Sequence, residues 1–164
     1  MNRVARFMRV SEARLAADWQ DAFPGEPAPG FPPLPRRATA GSAGYDFFAP
    51  RAFSLAPGET IKIPTGVRAR IADGWVLMLF PRSGLGFRYR VQLNNTVGIV
   101  DADYFGAKNE GHIFIKLVNA GERPLSVAAG EAFAQGVFVP FGLTEDDDAS
   151  AVRTGGFGST GNGK

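Results

Sequence analysis

Residues 66–80, GVRARIADGWVLMLF, decide the fold because they have the pattern of two strands joined by a turn. GVRARI (66–71) alternates apolar and basic residues, which is typical of a half-exposed strand. ADG (72–74) supplies the glycine of a turn. WVLMLF (75–80) is continuously apolar, so we expect this strand to be buried on both faces.

From about residue 38 onward, the chain continues as short strands and turns. HIFIKLV (112–118) and EAFAQGVFV (131–139) are further candidate strands, and APGE, NAGERP and AAGE are turn sequences. Short strands at this spacing are typical of a sandwich, a jelly roll or a barrel. No strand–helix–strand alternation occurs, which disfavours a Rossmann or P-loop fold. The sequence therefore predicts an all-β fold.

The N-terminal segment predicts one short helix. Ser11 is a candidate N-cap, and Leu15, Trp19 and Phe23 recur every four residues as one apolar face. Half of the 12 prolines fall in residues 24–35, and this composition predicts a stiff, extended connector rather than a packed element. We expect the helix to pack on the main body or on a neighbouring subunit.

Composition restricts the class of protein. A chain of 164 residues with 45% hydrophobic and 21% charged residues fits one globular domain. The net charge of +2 lacks the excess of basic residues that marks a duplex-binding surface, so no nucleic-acid partner is expected. Neither a membrane-spanning run nor a secretory signal is visible, and there is no cysteine. We expect a cytoplasmic protein without a membrane partner.

The chemistry is concentrated in three segments. VGIVDADYFG (97–106) carries Asp101 at the end of an apolar stretch and before an aromatic residue, where a carboxylate can act as a general base beside a flat substrate. PRSG (81–84) and GGFGSTG (155–161) have the arginine, hydroxyl and glycine content suited to holding phosphates. Together these segments indicate a nucleotide hydrolase.

Five segments in order, SAGYDFFA, PRSGLGF, NTVGIVDADYFG, GEAFAQGVFVP and RTGGFGSTG, resemble the signature blocks of the trimeric dUTPases. The resemblance runs from about residue 38 to the C-terminus. It implies a distorted jelly-roll (β-clip) fold with a short N-terminal helix and a flexible C-terminal tail. The implied division is an N-terminal helix and connector (1–37), a β core (38–144) and an arm that closes over the nucleotide (145–164).

The same resemblance implies an activity. Members hydrolyse dUTP to dUMP and pyrophosphate, which limits uracil incorporation into DNA. The substrate is bound with Mg²⁺, which is held mostly by the triphosphate. The resemblance also implies a homotrimer in which three chains share each active site.

The third block carries the implied catalytic and base-binding residues. Asp101 is the implied base that activates water for attack on the α-phosphorus. Tyr104 is expected to lie under the deoxyribose and to exclude a 2′-hydroxyl. Asn95 and the backbone around Gly98 and Ile99 are expected to bind the uracil edge in a narrow hairpin.

Phosphate and metal roles fall on the first, second and fourth blocks. Arg82, Ser83 and Gly84 are the implied phosphate ligands, with a planar guanidinium fork and a hydroxyl as donors. Gln135 matches the glutamine that the family directs at the α-phosphate region. Asp46 is expected to bind magnesium through water or to make a structural hydrogen bond.

The last block supplies the implied arm. Phe157 is expected to stack on uracil, with Gly158 beside it, while Arg153, Ser159 and Thr160 close over the γ-phosphate. The family usually has two residues between this arginine and GGF, whereas RTGGF has one.

Two alternatives remain open. A dCTP deaminase shares the β architecture, but Lys116 occupies the position of its proton-transferring glutamate. A nucleotide-sensing binding protein with a regulatory protein partner is the other, and the inserted AKNEGH (107–112) and the N-terminal helix are candidate contact regions. The single His112 is expected to belong to a hairpin end near a subunit contact rather than to the catalytic machinery.

Overall fold

A computed structural model describes residues 2–151 of the chain. Its helices and strands follow one another as β1 (Ala5–Arg9), α1 (Glu12–Ala22), β2 (Arg36–Arg37), β3 (Tyr45–Phe48), β4 (Phe53–Leu55), β5 (Thr60–Pro64), β6 (Val67–Ile71), β7 (Trp75–Pro81), α2 (Ser83–Tyr89), β8 (Val91–Leu93), β9 (Gly98–Val100), a 3₁₀ helix (Ala102–Gly106), β10 (Phe114–Asn119), β11 (Leu125–Val127) and β12 (Ala132–Pro140). The all-β prediction is confirmed, and the strands predicted at 66–71, 75–80, 112–118 and 131–139 correspond to β6, β7, β10 and β12.

The largest sheet has five strands in the order β2-β3-β12-β7-β9, and neighbouring strands are antiparallel. A three-stranded sheet has the order β5-β10-β8, and two strand pairs, β1-β6 and β11-β4, complete the described strands. The sheets enclose one apolar core, in which Ile115 and Leu117 of β10 are 0% exposed. This arrangement fixes the ends of β7 and β9, where the candidate site residues lie.

Strand β7 is buried differently from the prediction. Leu77 and Leu79 point into the core and are 0% and 1% exposed. Val76, Met78 and Phe80, on the other face, are only half-buried. The expectation of burial on both faces is therefore wrong for the isolated chain, because successive side chains of a strand alternate between faces and only one face of β7 meets the core.

Helix α1 begins as predicted. The Ser11 side chain accepts a hydrogen bond from the Arg14 backbone N–H (3.1 Å), which satisfies one of the unpaired donors of the first turn. Leu15 and Trp19 are 3% and 1% exposed, so the predicted apolar face packs against the body of the same chain. The helix ends at Ala22.

Two N-terminal features differ from the prediction. Residues 5–9 form strand β1, which pairs with β6, where the sequence predicted only the helix and connector. The proline-rich connector is also packed rather than free, because Pro32 and Pro35 are buried. The division of the chain at residue 38 stays a prediction.

The insertion at residues 107–112 contacts the start of α1. The Glu110 carboxylate accepts hydrogen bonds from the Ser11 backbone N–H (2.8 Å) and from the Ser11 hydroxyl (2.7 Å). The hydroxyl bond is the larger cause, and the two bonds together lower the pKa of Glu110. Since Ser11 also caps α1, the helix and the insertion are held by one hydrogen-bonded group, the Ser11–Glu110 contact.

Within residues 2–151, neither helix has the length and apolar character that a membrane crossing requires. The acidic run at residues 145–148 is exposed.

Candidate active site

Asp101 follows directly after β9 and occupies the N-cap position of the 3₁₀ helix, with φ −76° and ψ 160°. It is exposed, whereas Gly98 and Val100 of the preceding strand are buried. The carboxylate therefore reaches solvent from a backbone that the core holds. Asp103 lies in the first turn of the 3₁₀ helix.

Three side chains hold the 3₁₀ helix in place. The Tyr104 hydroxyl donates to the His112 carbonyl oxygen (2.6 Å) and accepts from the Asn109 amide (2.7 Å). Arg68 donates to the Phe105 carbonyl oxygen (2.7 Å), and its guanidinium lies 3.7 Å from the Phe105 ring centroid. These bonds restrict the backbone that presents the catalytic candidate.

Tyr104 is more deeply placed than its implied role requires. It is 1% exposed, so only a small part of its ring is available to a sugar. The predicted contact with deoxyribose stays a prediction, while the contacts that the structure gives Tyr104 anchor the insertion.

The hairpin between β8 and β9 contains the residues expected to bind uracil. Asn95 lies exposed in its turn, and Ile99 is 45% exposed. Gly98 packs so closely on Leu79 that an added Cβ would lie 3.0 Å from the Leu79 Cβ. Thr96 has a φ of 67°, a conformation that β-branched residues rarely adopt. A cavity of about 370 Å³ opens beside Asn95 and Gly98.

The phosphate-binding candidates form a second cluster at the C-terminal end of β7. The Arg82 Nε lies 3.2 Å from the Asp46 Oδ1, and the Gln135 amide donates to the Pro81 carbonyl oxygen (3.1 Å). In the sheet register, Gln135 lies between Asp46 and Phe80. Three of the five signature blocks are thus brought together within one chain.

The segment of Arg82, Ser83 and Gly84 begins a helix. Arg82 is the N-cap of α2, and Ser83 and Gly84 form its first turn, where both are exposed. The ion pair uses the Nε of Arg82, so the two terminal nitrogens of the guanidinium still present N–H donors.

Gly44 also belongs to this cluster, although no role in the site was predicted for it. A Cβ built on Gly44 would lie 2.5 Å from the Oε1 of Gln135. Glycine at this position therefore lets the Gln135 side chain lie close against the backbone. The glycine in SAGYD was a signal for such a close approach.

Asp101 and Arg82 lie near opposite ends of β7. Val100 pairs with Leu77, so Asp101 follows beside the beginning of the strand, whereas Arg82 follows its end. Five residue steps separate Leu77 from Arg82, which is about 17 Å of extended chain. A single chain therefore separates its candidate base from its phosphate-binding arginine.

The described part of the chain does not by itself form a metal site. Within residues 2–151, no group of three or more His, Asp or Glu side chains is arranged to hold an ion. Asp46, the expected water-bridged ligand, is 17% exposed and ion-paired with Arg82. That pairing makes Asp46 a poor fit to magnesium in this arrangement, and its metal role stays a prediction. Arg153, Phe157, Gly158, Ser159 and Thr160 lie outside the described residues.

Comparison with known proteins identifies the family. The family profile of dUTPase matches residues 32–161. The deoxyuridine 5′-triphosphate nucleotidohydrolase of Lactococcus lactis is 42% identical over 131 residues, covering 78% of this chain and 87% of that protein. The enzyme of the same name from Chromobacterium violaceum is 43% identical over 138 residues, covering 79% and 89%.

Solved structures show the same architecture. The crystal structure of dUTPase from Streptococcus mutans matches with a TM-score of 0.64 and 34% identity, covering 85% of this chain and 98% of that one. A mutant dUTPase from phage phi11 of S. aureus, in which a structural Mg(II) ion is coordinated, matches with a TM-score of 0.64 at 20% identity, covering 91% and 98%. The fold is thus the jelly-roll type of these enzymes, and the chain belongs to the dUTPase family.

Proposed function

We propose that this protein hydrolyses dUTP to dUMP and pyrophosphate, using Asp101 as the general base. Family membership supports the reaction. The observation that carries the assignment to Asp101 is its position: an exposed carboxylate immediately after the hairpin strand whose other end approaches the cavity beside Asn95 and Gly98. A base attached to one side of a nucleotide pocket is well placed to act on the phosphate nearest the sugar.

The chemical step needs little from the protein beyond alignment and charge. Asp101 accepts a proton from a water molecule, the water oxygen forms a bond to the α-phosphorus, and pyrophosphate leaves with the electrons of the broken P–O bond. Arg82 and Ser83 donate hydrogen bonds to the phosphate oxygens, and Gln135 contributes an amide donor. Arg82 is held for this role by Asp46.

Magnesium is proposed as the cofactor, bound mainly by the triphosphate itself. When bound, it neutralises phosphate charge. No step above depends on a metal ligand from this chain, in keeping with the ion-paired state of Asp46.

Each active site is proposed to combine three chains of a homotrimer. The separation of Asp101 from Arg82 along β7 supports this, because another chain can bring an Arg82 cluster to the Asp101 of its neighbour. Exposed apolar residues also support it: Phe87 is 92% exposed, Leu143 72% and Phe141 51%. Large apolar side chains left in solvent commonly mark a surface that another protein covers.

The cellular role follows from the reaction. Removal of dUTP limits uracil incorporation into DNA, and dUMP is the nucleotide product. We place this activity in the cytoplasm, as the sequence composition predicted. A dCTP deaminase is not favoured, since Lys116 cannot replace a glutamate in proton transfer. A regulatory protein partner stays a hypothesis without a specific contact to support it.

The test is a panel of the deoxynucleoside triphosphates and UTP, each incubated with the purified protein and Mg²⁺. We expect pyrophosphate release from dUTP at a far higher rate than from any other nucleotide in the panel. Conversion of dCTP to dUTP with release of ammonia would instead identify a deaminase. Binding of dUTP with no turnover of any substrate would favour a nucleotide-sensing protein.

A further inference from the structure

The 3₁₀ helix that carries Asp101 at its N-cap is too short to hold its own shape. It comprises five residues, Ala102–Gly106. Its backbone hydrogen bonds include those from the Tyr104 N–H to the Asp101 carbonyl oxygen (3.2 Å) and from the Ala107 N–H to the Tyr104 carbonyl oxygen (3.1 Å). Bonds of this type have poorer geometry than those of an α-helix, and one turn gains little from them. Contacts with other elements therefore have to fix the position of Asp101.

Arg68 of strand β6 makes such contacts. It lies on the face of β6 that is turned away from the core, since its neighbours Val67 and Ala69 are buried whereas Arg68 is only half-buried. Its Nη2 donates to the Phe105 carbonyl oxygen (2.7 Å), at the end of the 3₁₀ helix where carbonyl groups lack partners within the helix. Its guanidinium also lies 3.7 Å from the centroid of the Phe105 ring. A cation at a helix C-terminus is favourable electrostatically as well.

The guanidinium of Arg68 is directed by Phe105 and not by an acidic partner. Within residues 2–151, no carboxylate forms an ion pair with it, and its Nε is buried without a hydrogen bond. Phe105 therefore supplies both of the directional contacts described for this side chain, one to its backbone and one to its ring.

The insertion packs closely on the same part of the helix. A Cβ built on Gly111 would lie 2.7 Å from the Tyr104 carbonyl oxygen and 2.8 Å from the Phe105 Cα, and Gly111 has a φ of 68°. The backbone of Phe105 is thus in contact with the insertion as well as with β6. Loss of the Arg68 contacts would release one of these two restraints on the helix that Asp101 begins.

We propose that Arg68 is a positioning residue for the hydrolysis of dUTP, acting through the 3₁₀ helix to fix the direction of the Asp101 carboxylate. This rests on the proposed function, because it concerns the alignment of its general base. A displacement of about 1 Å in the reacting geometry can cost about 100-fold in rate. Arg68 does not line the cavity beside Asn95 and Gly98, so nucleotide affinity depends little on it.

The first test compares Arg68→Met and Arg68→Lys with a matched control, Arg70→Met. Arg70 lies two residues further along β6 on the same face, and it is exposed. For Arg68→Met we expect kcat for dUTP to fall about tenfold, while the Kd of a non-hydrolysable dUTP analogue stays within about twofold of wild type. Arg68→Lys keeps a charged donor but not the planar group that stacks on the ring, so it loses less activity. Arg70→Met behaves as wild type.

A double variant separates positioning from a general effect on the fold. In an Asp101→Asn background, Arg68→Met should leave the residual turnover unchanged, because a residue that acts through Asp101 has no further effect once the base is absent. The proposal is overturned if the two effects multiply. It is equally overturned if Arg68→Met keeps the wild-type kcat, or if it weakens binding of the analogue in proportion to the lost activity.

Amide hydrogen exchange tests the same contact without an activity assay. In Arg68→Met, residues 101–107 should exchange faster than in the wild-type protein, whereas the core strand β10 and the Arg70→Met control should not change. Equal protection of residues 101–107 would contradict the proposal. If wild-type protein does not hydrolyse dUTP, the proposed function fails, while the exchange measurement still reports whether Arg68 fixes the helix that carries Asp101.

Discussion

The Nδ1 of His112 lies 2.6 Å from the Oδ2 of Asp18, which joins the insertion to helix α1. The Nε2 of the same ring accepts a hydrogen bond from the Gly66 backbone N–H (2.8 Å). Because Nε2 is an acceptor, the proton of the neutral ring is on Nδ1, where it is donated to Asp18. His112 is 0% exposed, so it is a buried structural residue and not a catalytic one.

This arrangement predicts a pH dependence of stability. Burial lowers the pKa of His112 below its ordinary value of 6.5, and the bonded Asp18 opposes this only in part. Below about pH 6.5, His112 therefore binds a proton more readily in the unfolded chain than in the folded protein. The free energy of unfolding is highest above about pH 6.5 and falls as the pH drops below it, by at most about 1.4 kcal/mol per pH unit.

Urea unfolding at pH 7.5, 6.5 and 5.5 checks this dependence. His112 is the only histidine of the sequence. The pKa of Glu110 is lowered from 4.5, so its contribution to stability changes only below about that pH. The effects of His112 and Glu110 therefore fall in different pH ranges. His112→Gln should be less stable but have a flatter profile. An equally steep profile in this variant would assign the effect to another group.

The proposed base gives a second prediction. Asp101→Asn should bind a non-hydrolysable dUTP analogue with nearly normal affinity, while turnover falls roughly 100-fold or more, the scale of a lost general base. Asp103→Asn is the matched control, because that exposed carboxylate lies two residues away in the 3₁₀ helix. Pyrophosphate release and calorimetric binding supply the two readouts. Equal turnover by Asp101→Asn and wild type would remove Asp101 from the mechanism.

Shared active sites predict complementation between two inactive variants. Arg82→Ala and Asp101→Asn alter opposite ends of β7. When the two variants are refolded together in equal amounts, activity should return to about a quarter of the wild-type value at most. An intact site needs an Arg82→Ala chain, which supplies Asp101, on one side of a subunit contact and an Asp101→Asn chain, which supplies Arg82, on the other side. About one contact in four has this arrangement. Each variant refolded alone is the control, with trimer formation checked by light scattering. A site built within one chain would regain no activity.

The close contact at Gly44 predicts an effect on activity with little effect on stability. Gly44→Ala places a methyl group where the Gln135 Oε1 now lies. The flexible end of Gln135 can move, so the melting temperature should hardly change, but its bond to the Pro81 carbonyl is lost. We expect kcat/KM for dUTP to fall about tenfold. Gly41→Ala, with open space around it, is the control. Unchanged activity in Gly44→Ala would argue against a substrate role for Gln135.

Local patterns predicted the parts of the fold that local physics determines. Ser11 and the apolar spacing that follows it predicted α1, because capping and helix periodicity act within a few residues. Strand β1 was missed, since Phe7 and Met8 are adjacent apolar residues that break the alternation of a strand. The 3₁₀ helix at Asp103 was also missed, because a single turn carries little periodicity.

The candidate site, like the fold, could be predicted only in part from the sequence. The residue blocks indicated Asp101, Arg82 and Gln135 as members of a family pattern, but the pattern does not contain distances. Their separation along β7 follows only from the pairing of β9 and β12 with that strand. The position of Arg68 against Phe105 depends likewise on a contact between distant parts of the chain, which no single segment of sequence encodes.

The Ser11–Glu110 contact has a consequence for anyone seeking a shortened form of this enzyme. Deleting the first helix would leave the buried His112 N–H without Asp18 and the Glu110 carboxylate without Ser11. Excising the loop alone would leave the Ser11 hydroxyl and backbone N–H without the Glu110 carboxylate, and Asp18 without His112. The two segments therefore depend on each other, and a shortened form has to keep both, because the insertion also holds Tyr104 in place.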